Sequence, residues 1–409
     1  MEKRETTAAP LANIRVLDMS RILAGPWAGQ LLGDYGADVV KVERPGAGDD
    51  TRQWGPPRLE ADSTRESAYF LSTNRNKRSI TIDIANARGQ QVIRDLVRGA
   101  DVLLENYKVG TLQRYGLGPD ALRTINPRLV YCSISAFGQS GSRASDPGYD
   151  AMIQASAGLM SITGPADENG DGPQKVGVAI ADIMAGMYAT TAVLAALNAR
   201  ELSGQGQYID VPLYDSQVAW LANQAMNYLV GGAAPGRLGT AHPNLVPYQA
   251  FSTLDGDLML AVGNDRQFDA CVRCLGQPAL ANDARFVRNS DRIANRTELV
   301  GLLGEAFKTR TTAHWLAALQ EVGVPAGPIN DIEQVLGNAH AQERGLVRHL
   351  TNAAGHTVPT VSNPVEFSVT PVSYHRAPPL LGEHTEEVLR EWLGYSAQLI
   401  AELREAAAI

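Results

Sequence analysis

The chain has 409 residues, 44% of them hydrophobic and 20% charged, a composition typical of a soluble globular enzyme with room for two domains. Its net charge of −8 argues against nucleic acid or an anionic membrane as the main partner. The start of the chain is basic without an apolar core, so no signal peptide is expected, and three cysteines fit a reducing, cytoplasmic location.

The first third of the chain alternates predicted strands with predicted helices. Strands are predicted at 14–19, 37–43, 79–84, 101–106 and 128–135, and helices at 26–36, 87–98 and 111–124. This alternation predicts an α/β fold with a doubly wound, mostly parallel sheet. Sheets of this kind bind ligands at the carboxyl ends of their strands.

Two features of this region bear on its ligand. No GxGxxG follows the first strand, so NAD is not expected. Positive residues follow successive predicted strands, and although such a cluster is often a solvated surface, its repetition favours a site for phosphates. These residues are Arg21, Arg44, Arg52, the run at 74–78, Lys108 and Arg114.

Residues 176–200 combine a short β-branched run, Asp182 and a long helix of small residues. The run predicts a strand over 176–180. The apolar stretch Ile183–Ala199 predicts a core helix, since it is too short and too mildly hydrophobic to span a bilayer. At the helix start, the helix dipole favours the ionised form of Asp182. Residue type leaves two roles open for Asp182: a helix N-cap or a nucleophile that attacks an acyl group.

The second half predicts a smaller α+β domain at 227–330, reached through a linker helix at 206–226. Asp255-Gly256 lies between two apolar runs and predicts a β-hairpin. Residues 331–344 are expected to return the chain to the large domain, which comprises 1–205 and is completed by 345–409. Cys271 and Cys274 lie one helical turn apart without further ligands, so no metal site is predicted.

Eight stretches, in order, resemble the class III CoA-transferases, also called the carnitine dehydratase/bile-acid-inducible family. Each alone is weak evidence, but together and in this order they are specific. They lie at 16–52, 74–84, 103–118, 137–150, 158–165, 177–189, 203–217 and 378–389. The resemblance implies a Rossmann-like fold without GxGxxG and an interlocked homodimer, each chain a ring threaded through the other.

The resemblance also implies roles for particular residues. The family's nucleophilic aspartate corresponds to Asp182, which favours the second of its two roles. Contacts to CoA are implied for Leu23, Ala24, Arg44, Ile82, Asn106, Tyr107, Lys108 and Arg114. The first loop departs from the family pattern, because Arg21 and Leu23 stand where some relatives carry His or Gln. The reaction needs neither a metal nor a permanently bound cofactor, since CoA is itself carried by the substrate.

The same fold serves 2-methylacyl-CoA racemases, which move a proton instead of a thiol. Those enzymes carry a histidine base where this chain has Tyr149. A tyrosine titrates near pH ~10 and is a poor base at neutral pH, so the transferase is favoured and Tyr149 is expected to pack on the pantetheine or the loop. A third possibility is a CoA-binding protein without catalysis, which would lose nothing on replacement of Asp182.

The stretch 237–256 resembles the branch that acts between succinyl-CoA and glutarate or hydroxymethylglutarate. A dicarboxylic acid has a second carboxylate that needs a cation, and Arg237 and His242 lie in the expected loop. For His242, a loop histidine bonded to backbone is an equally open interpretation. Backbone N–H groups at 138–141 or 231–239 are candidates for stabilising the oxyanions.

Overall fold

The computed structural model describes residues 8–59 and 66–409, which form two compact units. The larger unit consists of the chain up to Leu159 together with Val176–Leu229 and Ala339–Ile409. The smaller unit consists of Met160–Lys175 and Val230–Asn338. The segment 160–175 therefore belongs to the smaller unit, although the sequence assigned it to the large domain, and most of the expected return linker also lies there.

A six-stranded parallel sheet forms the centre of the larger unit. Its strands are β1 (Arg15–Asp18), β2 (Asp38–Glu43), β3 (Lys77–Thr81), β4 (Val102–Glu105), β5 (Val130–Ser135) and β6 (Tyr208–Pro212). The order is β3-β2-β1-β4-β5-β6, the doubly wound arrangement of dinucleotide-binding folds. The predicted α/β fold is confirmed.

Helices cover both faces of this sheet, which explains why its strands are nearly continuous apolar runs. Val16 faces one helical layer and the next residue, Leu17, faces the other, and both are fully buried. The helices of the larger unit are α1 (Ala24–Asp34), α2 (Ala68–Leu71), α3 (Ala87–Gly99), α4 (Thr111–Arg114), α5 (Pro119–Ile125), α6 (Asp150–Ser156), α7 (Ile180–Ser203), α8 (Leu213–Ala219), α9 (Ala222–Gly231, which runs into the smaller unit), α15 (Ala339–Glu343), α16 (Thr385–Leu393) and α17 (Ala397–Glu405). A hairpin of β10 (Val347–Thr351) and β11 (Thr357–Val361) also belongs to it.

The helix α7 is longer than the sequence predicted, and no strand precedes it. It begins at Ile180, and the stretch 176–179 before it is a bend that belongs to no strand; the helix ends at Gly204, which takes the left-handed conformation of a helix stop (φ 72°). By length and composition α7 is apolar enough to cross a membrane, a test that core helices of globular proteins also pass. Here Ala185, Gly186 and Ala189 are buried between the sheet and α1.

Two other predicted helices are each divided into two. The segment 111–124 breaks at Gly116, which has a positive φ of 64°, and a second helix begins at Pro119, whose fixed φ suits a first turn. The linker helix predicted at 206–226 is wrong at its start, because Tyr208–Pro212 forms β6; the rest of it breaks between α8 and α9, where Ala222 has a φ of 46°.

The smaller unit has its own sheet and core. Its strands are β7 (Tyr248–Ser252), β8 (Asp257–Ala261) and β9 (Ala326–Pro328), all antiparallel, and its remaining helices are α10 (Asp265–Cys274), α11 (Asn289–Ala294), α12 (Arg296–Phe307), α13 (Thr312–Glu321) and α14 (Ile332–Gly337). The hairpin predicted at Asp255-Gly256 is confirmed as the β7–β8 connection. Cys271 is buried among apolar side chains, and Cys274 packs against the same core.

Candidate active site

A crevice opens at the carboxyl ends of β1 and β4, where the strand order reverses. Loops that follow the two strands are tied together across it: the Arg21 backbone N–H donates to the side-chain oxygen of Asn106 (2.8 Å), and the Asn106 side-chain amide donates to the Arg21 carbonyl (2.7 Å). In doubly wound sheets this reversal point is where ligands bind. The topology therefore identifies the site without reference to any motif.

One cavity in this crevice brings most of the predicted site residues together. Its lining includes Asp182 and the predicted CoA contacts Leu23, Ala24, Asn106, Tyr107, Lys108 and Tyr149. A neighbouring cavity, which follows the ends of β1, β2 and β3, is lined by Arg44, Ile82 and again Tyr107. Arg114 ends α4 with an exposed side chain and is not among the lining residues of either cavity.

The positive residues predicted at the strand ends differ in whether a phosphate can reach them. Arg44 and Lys108 are exposed at the cavities. Four others are buried in ion pairs and are not available to a phosphate, which corrects that part of the prediction: Arg52 with Glu43 (2.6 Å), Arg75 with Asp34 (2.5 Å), Lys77 with Asp18 (2.9 Å), and Arg78 with Asp38. Arg21 is exposed but paired with Asp50 (2.9 Å).

The loop after β1 is held in an unusual conformation by a buried ion pair. Ile22 has a φ of 71°, which is rare for a β-branched residue. The Asp49 carboxylate accepts the Ile22 N–H (3.2 Å), and the Lys41 ammonium bonds both Asp49 and the Ser20 carbonyl (2.9 Å each). Burial opposes the charge of Asp49, but Lys41 and Thr51 outweigh it and lower the pKa of Asp49 to about 2. Sequence analysis missed Asp49; its one indication was the Asp-x-Thr spacing of a cap.

Asp182 is the third residue of α7, not its N-cap. The N-cap position is Ala179, and no side chain bonds the first turn from there. Among the residues that the structure describes, none forms a hydrogen bond or ion pair with the Asp182 carboxylate, which is partly buried and faces the cavity. The N-cap interpretation is therefore wrong, since the Asp182 carboxylate makes no hydrogen bond to the first turn of α7 in the described part of the chain.

Burial raises the pKa of Asp182 to about 7, and the nearby Asp150 carboxylate adds to the shift. The sequence predicted the opposite direction, because the dipole at the start of a helix favours ionisation. Here the apolar surroundings and the like charge outweigh that dipole. Near neutral pH the carboxyl is thus poised between its neutral and its ionised form, as is usual for groups that take part in chemistry.

The two stretches predicted to stabilise oxyanions differ in availability. In the first, the Gly138 N–H donates to the Ser135 hydroxyl (3.0 Å) and the Gln139 N–H to Asp210 (2.8 Å). These two amides are already engaged and are not free donors in this conformation. The second stretch, 231–239, belongs to the smaller unit.

Arg237 and His242 both lie in the loop that precedes β7 in the smaller unit. The Arg237 guanidinium is paired with Asp167 (2.6 Å) and donates to the Pro165 carbonyl (3.1 Å). The His242 ring packs against the Tyr248 ring, tilted by 32° with the ring centroids 5.1 Å apart. Its Nδ1 accepts the Asn244 N–H (3.0 Å), which leaves the other ring nitrogen as a donor. Arg296 supports this loop through bonds to the His242 and Pro243 carbonyls.

Comparison with known proteins agrees with the geometry. The model of the family "CoA-transferase family III" matches residues 11–385. A succinate–glutarate CoA-transferase from Agrobacterium fabrum is 48% identical over 93% of this chain and 95% of its own length. A human succinyl-CoA:glutarate CoA-transferase is 43% identical over 98% of this chain and 90% of its own. Among solved structures, a CaiB/BaiF family protein from Brucella suis matches with a TM-score of 0.83 and 46% identity over 94% of this chain and all of its own.

The fold and the cavity at the strand ends are consistent with an enzyme whose carboxylate takes part in acyl transfer. The chain belongs to CoA-transferase family III. The predicted family and enzyme class are thereby confirmed, and CoA thioesters and carboxylic acids are the substrates of that family.

Proposed function

We propose that this protein moves CoA from succinyl-CoA to glutarate through covalent intermediates on Asp182. The observation that carries the proposal is the unpaired Asp182 carboxylate, which lines the same cavity as the predicted CoA contacts Leu23, Ala24, Asn106, Tyr107, Lys108 and Tyr149. The choice of acids is supported by relatives from a bacterium, mouse and man, which carry succinate or succinyl-CoA and glutarate in their names at 43–48% identity.

The first half of the reaction converts the carboxylate into a thioester. An Asp182 oxygen attacks the succinyl carbonyl carbon, the C–S bond breaks, and a mixed anhydride and CoA thiolate result. The thiolate then attacks the Asp182 carbonyl of the anhydride, so that succinate leaves and an aspartyl-CoA thioester remains. Asp182 must be ionised to attack, and its pKa near 7 makes the ionised form accessible at neutral pH.

The second half returns CoA to an acid. A glutarate oxygen attacks the aspartyl-CoA carbonyl and expels the thiolate, which gives a second anhydride. The thiolate attacks the glutaryl carbonyl, glutaryl-CoA forms, and the bridging oxygen stays on Asp182. No proton is gained or lost over the full cycle, because one carboxylate replaces another. We propose that His242 donates a hydrogen bond to the second carboxylate of the dicarboxylic acid. Arg237 would do the same once its ion pair with Asp167 opens.

The oxygen balance provides the decisive experiment. Glutarate labelled with ¹⁸O in both carboxylates is incubated with succinyl-CoA, and the peptide containing Asp182 is weighed by mass spectrometry. A single turnover should leave one labelled oxygen in Asp182, and repeated turnover at most two, together with glutaryl-CoA; the Asp182→Asn variant should form neither. As a matched control, Asp120→Asn, an exposed carboxylate in the first turn of α5, should behave as wild type. Product without label in Asp182 would contradict the covalent route.

A second measurement in deuterated water addresses the isomerase alternative. A racemase would incorporate deuterium at the α-carbon of a 2-methylacyl-CoA without any acceptor acid. Tyr149 stands exposed at the cavity in place of a basic side chain, which favours the transferase. Hydroxymethylglutarate, oxalate and carnitine in the same mixture compare the acceptors directly.

We further propose that the protein is an interlocked homodimer located in the cytoplasm and that it does not bind nucleic acid. The larger unit supports the first point with exposed apolar side chains on α7 and α9, of which Leu229 is 70% exposed and Met226 54%. The net charge of −8 supports the last. Light scattering after gel filtration should give twice the mass of the 43.8 kDa chain.

A further inference from the structure

The helix α6 faces the start of α7 with two polar side chains. Asp150 is the first residue of α6, and Gln154 lies one turn later. One oxygen of Asp150 accepts the Ala181 backbone N–H (2.8 Å), and its other oxygen accepts from the Gln154 amide (2.7 Å). Gln154 is fully buried. These bonds connect α6 to the residue directly before Asp182.

Gln154 also holds the bent stretch 176–179 that leads into α7. Its side-chain oxygen accepts the Val176 N–H (2.9 Å), and its amide contacts the Val178 carbonyl (3.4 Å). This stretch belongs to no sheet, so it lacks the ladder of hydrogen bonds that fixes a strand. Asp150 and Gln154 supply bonds at three points of 176–181 instead. A free connection would leave the direction of the following carboxylate less defined.

The charge of Asp150 has a second effect at the same place. It is the charged neighbour that raises the pKa of Asp182, after burial. The other ionisable groups of the cavity are Arg21, Asp50, Tyr107, Lys108, Asp146 and Tyr149, and none of them contributes a resolved shift to Asp182. From α2, Tyr69 also faces Asp182, and its own pKa is raised to about 12, so it stays neutral.

We propose that Asp150 and Gln154 are positioning residues for the transfer of CoA: together they hold 176–181 so that the Asp182 carboxylate faces the bound thioester. This inference rests on the proposed role of Asp182. It goes beyond that role because neither side chain touches the reacting atoms. Reactions that depend on the approach of two bound groups lose about tenfold to a hundredfold in rate when one group is misplaced by about an ångström.

Two variants separate the bonds from the charge. Asp150→Asn keeps an oxygen for Ala181 but directs an N–H group at the Gln154 donor, so both a bond and the charge are lost. Gln154→Met keeps the buried volume and the charge of Asp150 but loses every bond to 176–178. Asp120→Asn, at the start of α5, is the control for neutralising a first-turn carboxylate.

The assay is the exchange of CoA between succinyl-CoA and labelled succinate, which needs the donor acid alone. We expect kcat to fall by about tenfold to a hundredfold in both variants, with KM for succinyl-CoA within about threefold of wild type. The acid limb of the profile of kcat against pH should move to lower pH in Asp150→Asn and stay in place in Gln154→Met. If the two residues only stabilised the fold, the variants would not differ in this way.

Several outcomes would overturn the inference. They are unchanged kcat in the two variants, an acid limb that fails to move in Asp150→Asn, or a loss of kcat that merely follows a lower melting temperature and weaker CoA binding. If Asp150→Asn does not fold, the kcat-against-KM comparison in Gln154→Met decides alone. Exchange with succinate but none with glutarate would refute the proposed acceptor and leave this test intact.

Discussion

Replacing Asp182 by asparagine should stabilise the folded protein near neutral pH and above, but not in acid. The fold raises the pKa of this carboxyl from 3.8 to about 7. Between these two values the native chain keeps a proton that the unfolded chain has lost, so its stability falls as the pH rises through this window. At about 1.36 kcal/mol per pKa unit, the ionised carboxylate costs about 4 kcal/mol above pH ~7 and nothing below pH ~4.

Asparagine carries no charge and has a similar shape, so Asp182→Asn should remove this cost. With an unfolding entropy of about 2.1 cal/mol/K per residue, a chain of 409 residues should gain about 5 °C in Tm at pH ~8 but only about 1 °C at pH ~4.5, where the unfolded carboxyl has only just lost its proton. Thermal melts of wild type, Asp182→Asn and Asp120→Asn across this range measure the difference. An equal gain at both ends of the range, or a variant that melts lower at pH ~8, would refute the reasoning.

Three other predictions follow from single contacts. Lys108→Ala should raise KM for succinyl-CoA by about tenfold, and less at high salt, because an exposed cation at the cavity is removed; Arg98→Ala, exposed on α3, is the control. Gly186→Ala should lower both Tm and kcat, because the new methyl group would lie 2.6 Å from the Ala24 carbonyl oxygen and displace α1. A variant that melts at the temperature of the wild type would contradict this contact. Lys41→Met should cost about 3–5 kcal/mol in unfolding free energy, because it leaves the buried Asp49 carboxylate without its cation, and denaturant unfolding will detect a loss of that size.

The sheet was predictable from the sequence because its strands are short apolar runs separated by helical segments. β1, β2, β4 and β5 lie inside their predicted ranges, and β3 begins two residues earlier at Lys77. The carboxyl-end site follows from that topology, and the family resemblance then assigned Asp182. These inferences rest on local patterns and on one rule of connectivity.

The stretch before Asp182 could not be predicted in this way. Its β-branched residues resemble a strand, but it pairs with none of the described strands, and Gln154 on another helix makes hydrogen bonds to Val176 and Val178. Asp150 was part of a recognised motif, yet its bond to Ala181 depends on how α6 packs against α7. A side chain that replaces a strand ladder leaves no periodicity in the sequence.

The positive residues show that the pairing of charges is equally hard to predict from the sequence. Arg44 and Arg52 look equivalent in the sequence, since both follow the second strand. Arg52 is buried between Glu43 and Glu66, whereas Arg44 is exposed at a cavity. Glu66 lies fourteen residues beyond Arg52 in the sequence, so no local rule identifies it as the partner. Counting charges at strand ends therefore overestimated the cations that a phosphate can reach.

Within 8–59 and 66–409, no cation pairs with Asp182, and this also bears on the chemistry. The anhydride and the thioester on Asp182 are neutral, so surroundings that disfavour a charge favour both intermediates over the free carboxylate. A nearby cation would stabilise the resting enzyme and oppose its acylation. The raised pKa and the ease of acylation should therefore change together.

The Asp150→Asn variant tests this link. For each pH unit by which the acid limb of its kcat profile moves down, the fraction of enzyme trapped as aspartyl-CoA with succinyl-CoA should fall by up to about tenfold. Trapping by rapid quench and mass spectrometry measures it, and an unchanged fraction beside a shifted limb would show that the two are independent.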